Sequence, residues 1–161
     1  MNSVNKTQIM IGLAALSIGL MVYLSDRAPD SAFLLQVIGG KSPFSEASHL
    51  FGPISGQLPA FLHVFAFALL TTGVLGCGTR GALFVCLFWL IVDVLFEVGQ
   101  VAGNPVVGNH SGAFNTTFGS EVVGNFFRFG TFDPLDLLAM ALGAVAAWII
   151  WRITIPGRVL S

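Results

Sequence analysis

Four stretches of this chain, at about 9–24, 60–75, 81–98 and 134–153, are apolar over lengths that reach across a bilayer. A hydrocarbon core about 30 Å thick needs ~20 apolar residues in a helix. Inside lipid the backbone must satisfy its own hydrogen bonds, which leaves helices or closed barrels. Runs this long and continuous select helices. Charge scarcity agrees: only 9% of the 161 residues are charged and 55% are hydrophobic, where a soluble domain carries about 25% charged residues. The expected fold class is therefore all-α, a polytopic membrane bundle of about four transmembrane helices in one domain, 1–161.

The first stretch carries no charge and follows Lys6. A secretory signal shares that pattern, but no A-x-A cleavage site follows, only Ser25-Asp26-Arg27-Ala28-Pro29. A retained helix is expected. Gly12, Ala15 and Gly19 fall on one of its faces, and Ala139, Gly143 and Ala147 repeat at spacing four in the last stretch. Small-residue stripes let helices in lipid approach closely. Pro59 suits the first turn of the second helix, and Asp133 followed by Pro134 suits the N-cap of the fourth.

Gly76-Cys77-Gly78-Thr79-Arg80 is too short to do anything but join antiparallel neighbours. The connectors 25–59 and 100–131 are long, and their apolar pieces, such as Ala32–Ile38 and Pro43–Phe51, are too short to span. Short interfacial helices are expected there. Asn-x-Ser/Thr occurs at Asn5, Asn109 and Asn115, a weak pattern. Cys77 and Cys86 match no metal or haem spacing and read as small apolar packing residues. No basic run marks a nucleic-acid surface, and no motif implies a cofactor.

Lys6, Arg80, Arg152 and Arg158 cluster at one set of helix ends, whereas Arg27, Lys41 and Arg128 are spread over the long connectors. The positive-inside rule then favours cytoplasmic termini with both connectors outside.

Direction and helix rise bring polar groups to one level. From Gly81, Asp93 lies roughly 18 Å along its helix and Glu97 roughly 24 Å. His63 opens the second helix, and Asp133 and Asp136 open the fourth. Asp93, Glu97 and Gln100 follow i, i+4, i+7 and share a face. Charges facing lipid cost several kcal/mol on contested scales, so that face is expected to turn inward. The expected partner of Glu97 is His63, and Arg128 is a candidate to balance the acids. The candidate ligand-binding set is His63, Asp93, Glu97, Gln100, Arg128, Asp133 and Asp136, with His63 and Glu97 as candidates for acid–base chemistry. Each also has a structural reading, as an interhelical hydrogen bond, a cap, or polarity at a helix end.

Three motifs occur in order: Leu62-His63-Val64-Phe65-Ala66-Phe67, then Phe96-Glu97-Val98-Gly99-Gln100, then Asp136-Leu137-Leu138-Ala139-Met140-Ala141-Leu142-Gly143-Ala144. Together they resemble the VanZ-like family of small bacterial membrane proteins over about 59–147. The resemblance implies a multi-pass protein of the bacterial inner membrane, a link to envelope antibiotic resistance, and a polar set at His63, Glu97, Gln100 and Asp136. Two features depart from the family pattern. Met140 stands where members often carry Asn, and the basic residue that usually follows the Gln closely is displaced, with Arg128 a replacement. Three functional readings stay open: a pocket that binds or senses an envelope lipid or lipid-like amphiphile, an accessory subunit of a larger membrane complex, and an intramembrane metal or proton site. Expected partners are membrane lipids and, on the second reading, other membrane subunits.

Overall fold

The computed structural model describes residues 4–26, 51–106 and 132–155, with 100–106 as backbone. Among them are four α-helices: α1 (Lys6–Asp26), α2 (Leu58–Leu75), α3 (Thr79–Val106) and α4 (Pro134–Thr154). Each contains a segment long and apolar enough to cross a membrane. The fold is an all-α four-helix bundle of the multi-pass membrane type.

Local chemistry explains the helix ends. Asn5 caps α1: its side-chain oxygen accepts from the Gln8 N–H at 3.2 Å, which satisfies one of the donors a helix start leaves open. Pro59 sits in the first turn of α2. That helix ends at Gly76, which adopts φ 57 and ψ 44. This left-handed conformation is open to glycine at little steric cost. Asp133 caps α4, accepting from the Leu135 N–H at 2.9 Å. The third helix runs past the expected end near 98, so Gln100 lies within it rather than in a connector. A single glycine in a helix costs only about 1 kcal/mol, so Gly99 does not stop it.

Of the short helices expected in the connectors, the described residues contain one 3-10 turn, Gly52–Ile54; Ala32–Ile38 and most of Pro43–Phe51 lie outside them.

Helix α2 is the hub, packing against all three others. Its buried residues include Leu62, Val64, Ala66, Ala68 and Leu69. Ala66 and Leu62 meet Ala15 of α1. Val64 meets Met140 and Ala144 of α4. Ala68 and Leu69 join Val85 and Cys86 of α3 and Ala147 of α4. Met140 is thus a core residue here. Both small-residue stripes do what close packing requires. A Cβ on Gly12 would stand 2.8 Å from Leu70, and one on Gly143 only 2.5 Å from the carbonyl oxygen of Phe61. The first helix is therefore seated in the bundle. Large apolar residues such as Met10, Phe84, Leu95 and Ile153 face outward, the surface a bilayer wets with acyl chains.

Candidate functional site

The charges of the described residues separate completely along the bundle. Lys6, Arg80 and Arg152 lie at the starts of α1 and α3 and the end of α4. Asp26, Asp93, Glu97, Asp133 and Asp136 lie at or toward the opposite end. Below, the two are the basic end and the acidic end.

At the acidic end, Asp93 and Glu97 are both buried, and they have different partners. The Asp93 carboxylate holds Nδ1 of His63 at 2.6 Å. Glu97 accepts the Asp133 backbone N–H at 2.9 Å. The sequence expectation that His63 pairs with Glu97 is corrected. Helix register gives the reason. His63 lies 12 residues before the last residue of α2, and Asp93 lies 14 after the first residue of α3. At 1.5 Å per residue the two stand roughly 18 and 21 Å from the shared turn, whereas Glu97 is about one turn further out. That outer level is where Asp133 and Gln57 meet, with Gln57 donating to Asp133 at 2.9 Å. Asp133 thus caps its own helix with one oxygen and ties α2 to α4 with the other.

Glu97 →Leu removes the acceptor of the Asp133 N–H. Leaving such a donor unmade costs about 1–3 kcal/mol, so this variant is expected to unfold at lower temperature and to exchange amide hydrogens faster in the first turn of α4. Glu97→Gln keeps an acceptor oxygen and is expected to stay close to the parent on both measurements. Equal behaviour of the two variants would show that the bond does not hold α4.

His63 is held on two sides. Besides Asp93, its ring meets Phe67 edge-on, with centroids 4.5 Å apart. Phe67 stacks on Trp89 of α3 at 4.7 Å, and Trp89 donates to the Thr71 hydroxyl at 3.0 Å. These supports were missed in sequence, although Phe67 is four residues after His63 and Trp89 four before Asp93. That mirrored spacing stacks each pair on its own helix face. About half of the His63 side chain remains exposed, at 49%. Among the described residues, Nε2 has no hydrogen-bond partner. Asp93 engages Nδ1, which leaves Nε2 as the second hydrogen-bonding position of the ring.

His63 also lines a groove of about 490 Å³ between α1 and α2, with Leu16, Gly19, Leu20, Tyr23, Pro59 and Leu62. That volume falls in the usual range for small-molecule sites, ~300–1,000 Å³. The walls are almost wholly apolar. Gly19 helps make the space, since nothing stands closer than 3.8 Å to where its Cβ would be. The arrangement offers an apolar trough with one oriented imidazole in its wall.

Of the other candidates, Asp136 lies in the first turn of α4 at the acidic end, with one carboxylate oxygen buried. The Gln100 side chain and all of Arg128 lie outside the described residues. No group of three or more His, Cys, Asp or Glu among the described residues is placed to hold a metal ion.

A second polar cluster, unforeseen in sequence, sits at the basic end. Gln8 and Thr72 are buried to 2% and 1% exposure. The Gln8 amide donates to the Thr154 hydroxyl at 2.9 Å and accepts from Thr72 at 3.1 Å. Asn5 donates to the Thr154 carbonyl at 2.8 Å, so its amide nitrogen is engaged in the fold. The cluster joins α1, α2 and α4. The signal was Asn5-x-x-Gln8, a capping pattern just before the first apolar stretch.

No protein-family model, curated protein or solved structure matches this chain.

Proposed function

We propose that this chain is a VanZ-like protein of the bacterial inner membrane whose acidic end faces the periplasm and whose groove between α1 and α2 binds an envelope lipid or lipid-like amphiphile. The observation that carries this reading is the placement of His63. Its ring lines an apolar groove while Asp93 fixes its orientation at 2.6 Å. Ligand sites are typically apolar with a few convergent polar groups that set orientation. A trough at the edge of a membrane helix is bathed by molecules with apolar tails.

The separation of charge supports the orientation, because Lys and Arg concentrate on the cytoplasmic side, where the termini then lie. Bringing His63, Glu97 and Asp136 to one end supports the resemblance. Binding fits better than turnover: the dyad is an acid–base pair, but the partners of His63 among the described residues, Asp93 and Phe67, include no nucleophile poised beside it. Through such a site the protein would take part in the response to envelope-directed antibiotics.

Filling the groove tests the reading. Leu16→Trp places a large ring in the trough, and His63→Ala removes the polar group. Both variants, once shown to fold, are expected to lose the lipid that copurifies with the parent in mild detergent and to change susceptibility to envelope-directed drugs in the same direction. Unaltered lipid content and susceptibility in both would remove the groove from the function.

A further inference from the structure

Resting on that reading, we infer that the groove selects an uncharged amphiphile whose head presents a hydroxyl, such as a diglyceride or a long-chain alcohol, and rejects heads bearing phosphate or carboxylate.

Three observations converge on this chemistry. The first is depth. His63 lies five residues inside the start of α2, about 8 Å along the helix. A phosphate drawn to that level leaves the headgroup layer, and a charge within the bilayer costs several kcal/mol on contested scales. A hydroxyl costs far less, and less still when it is hydrogen-bonded.

The second is the lining. The walls beside His63 are almost wholly apolar, so a charged head seated there loses water and gains little in return.

The third is the hydrogen-bonding capacity of His63. Asp93 occupies Nδ1 and leaves Nε2 for a ligand. Nε2 accepts or donates according to the tautomer and charge of the ring. A hydroxyl is both donor and acceptor, so it satisfies Nε2 in either state. An ammonium satisfies only the first, and a phosphate dianion only the second.

The site thus reads a head by what it lacks. Discrimination comes from depth and an apolar lining, which penalise charge, and from the hydrogen bond at Nε2, which also orients the head.

The test is competition on the full chain in detergent micelles. A fluorescent diglyceride is bound, then displaced by three unlabelled lipids with identical dioleoyl tails: dioleoylglycerol, dioleoyl phosphatidate, and a dioleoyl lipid with a trimethylammonium head. Dioleoylglycerol is expected to compete at least about tenfold better than either charged lipid, the scale of one lost hydrogen bond plus a modest charge penalty. In His63→Phe, which keeps an aromatic ring against Phe67 but offers no nitrogen, its advantage over the cationic lipid is expected to shrink to less than about threefold. Phosphatidate or the cationic lipid competing as well as dioleoylglycerol would overturn the head selection while leaving the groove intact. If the fluorescent diglyceride does not bind although lipid still copurifies with the parent, this inference falls and the groove reading stands; if Leu16→Trp binds it equally well, both fall.

Discussion

Gly143→Leu is expected to abolish the folded bundle, and Gly143→Ala to lower its stability by about 1–2 kcal/mol. A Cβ at this position would stand 2.5 Å from the carbonyl oxygen of Phe61. The obstructing atom is backbone and cannot rotate away, so α2 and α4 must separate. Overpacking of this kind typically costs about 1–3 kcal/mol, and the helix propensity gained by replacing glycine returns at most about 1 kcal/mol. Separation would also loosen Val64, Met140 and Ala144, which pack across the same interface. The other packing glycines set a graded comparison. Gly12 and Gly73 would bring a Cβ to 2.8 and 2.9 Å from side-chain atoms of Leu70 and Ile9, with the backbone oxygens of Ala66 and Asn5 further off at 3.0 and 3.1 Å. Gly19 would bring one only to 3.8 Å from Leu62. Unfolding by graded SDS in mixed micelles should therefore rank the alanine variants with Gly143 most damaging, Gly12 and Gly73 next, and Gly19 neutral or stabilising. A Gly19→Ala variant as unstable as Gly143→Ala would refute the close-contact account.

Asp93→Leu is expected to separate stability from binding. Asp93 is buried, at 5% exposure. Removing one partner of a buried pair is costly when it strands the other in a dry interior, whereas removing the buried group itself also removes its desolvation cost. His63 is half exposed and is not stranded in a dry interior by the change. Thermal unfolding should accordingly shift little or upward. Lipid binding should fall by about tenfold or more, because the ring loses the charge-assisted bond that sets its orientation. Asp93→Asn keeps an oxygen able to accept from Nδ1 but not the charge, and should fall between the two. Parental affinity in Asp93→Leu would show that His63 needs no carboxylate to place it, and would remove the dyad from the site.

Much of the fold was legible because lipid imposes coarse rules. Length and apolarity located all four helices, and the small-residue stripes named the packing faces of α1 and α4 before any neighbour was known. The same rules located the acidic end, since alternation of direction alone brings His63, Asp93, Glu97, Asp133 and Asp136 together. They did not settle pairing. Asp93 and Glu97 share a helix face, so periodicity treats them alike; only the register across the Gly76 turn separates them by one turn. Gln8 was overlooked because it precedes the apolar stretch and reads as flanking polarity. It is nearly inaccessible because α2 and α4 close over it. The groove was invisible for a different reason. It is a gap between Leu16 and Gly19 on one helix and Leu62 and His63 on another, and a gap has no residues of its own.

The cluster around Gln8 also bears on how the chain is assembled. Helices α2 and α3 are joined by a three-residue link, Gly76 to Gly78, and are suited to enter the bilayer as a hairpin. The hydrogen bonds of Gln8 need Thr72 from that hairpin and Thr154 from the end of the last helix. Until α4 has docked, the Gln8 amide lacks part of its complement, and polar groups bared to lipid are costly. The latch therefore closes only once α4 has docked, so the last helix to enter completes the polar contacts of the first.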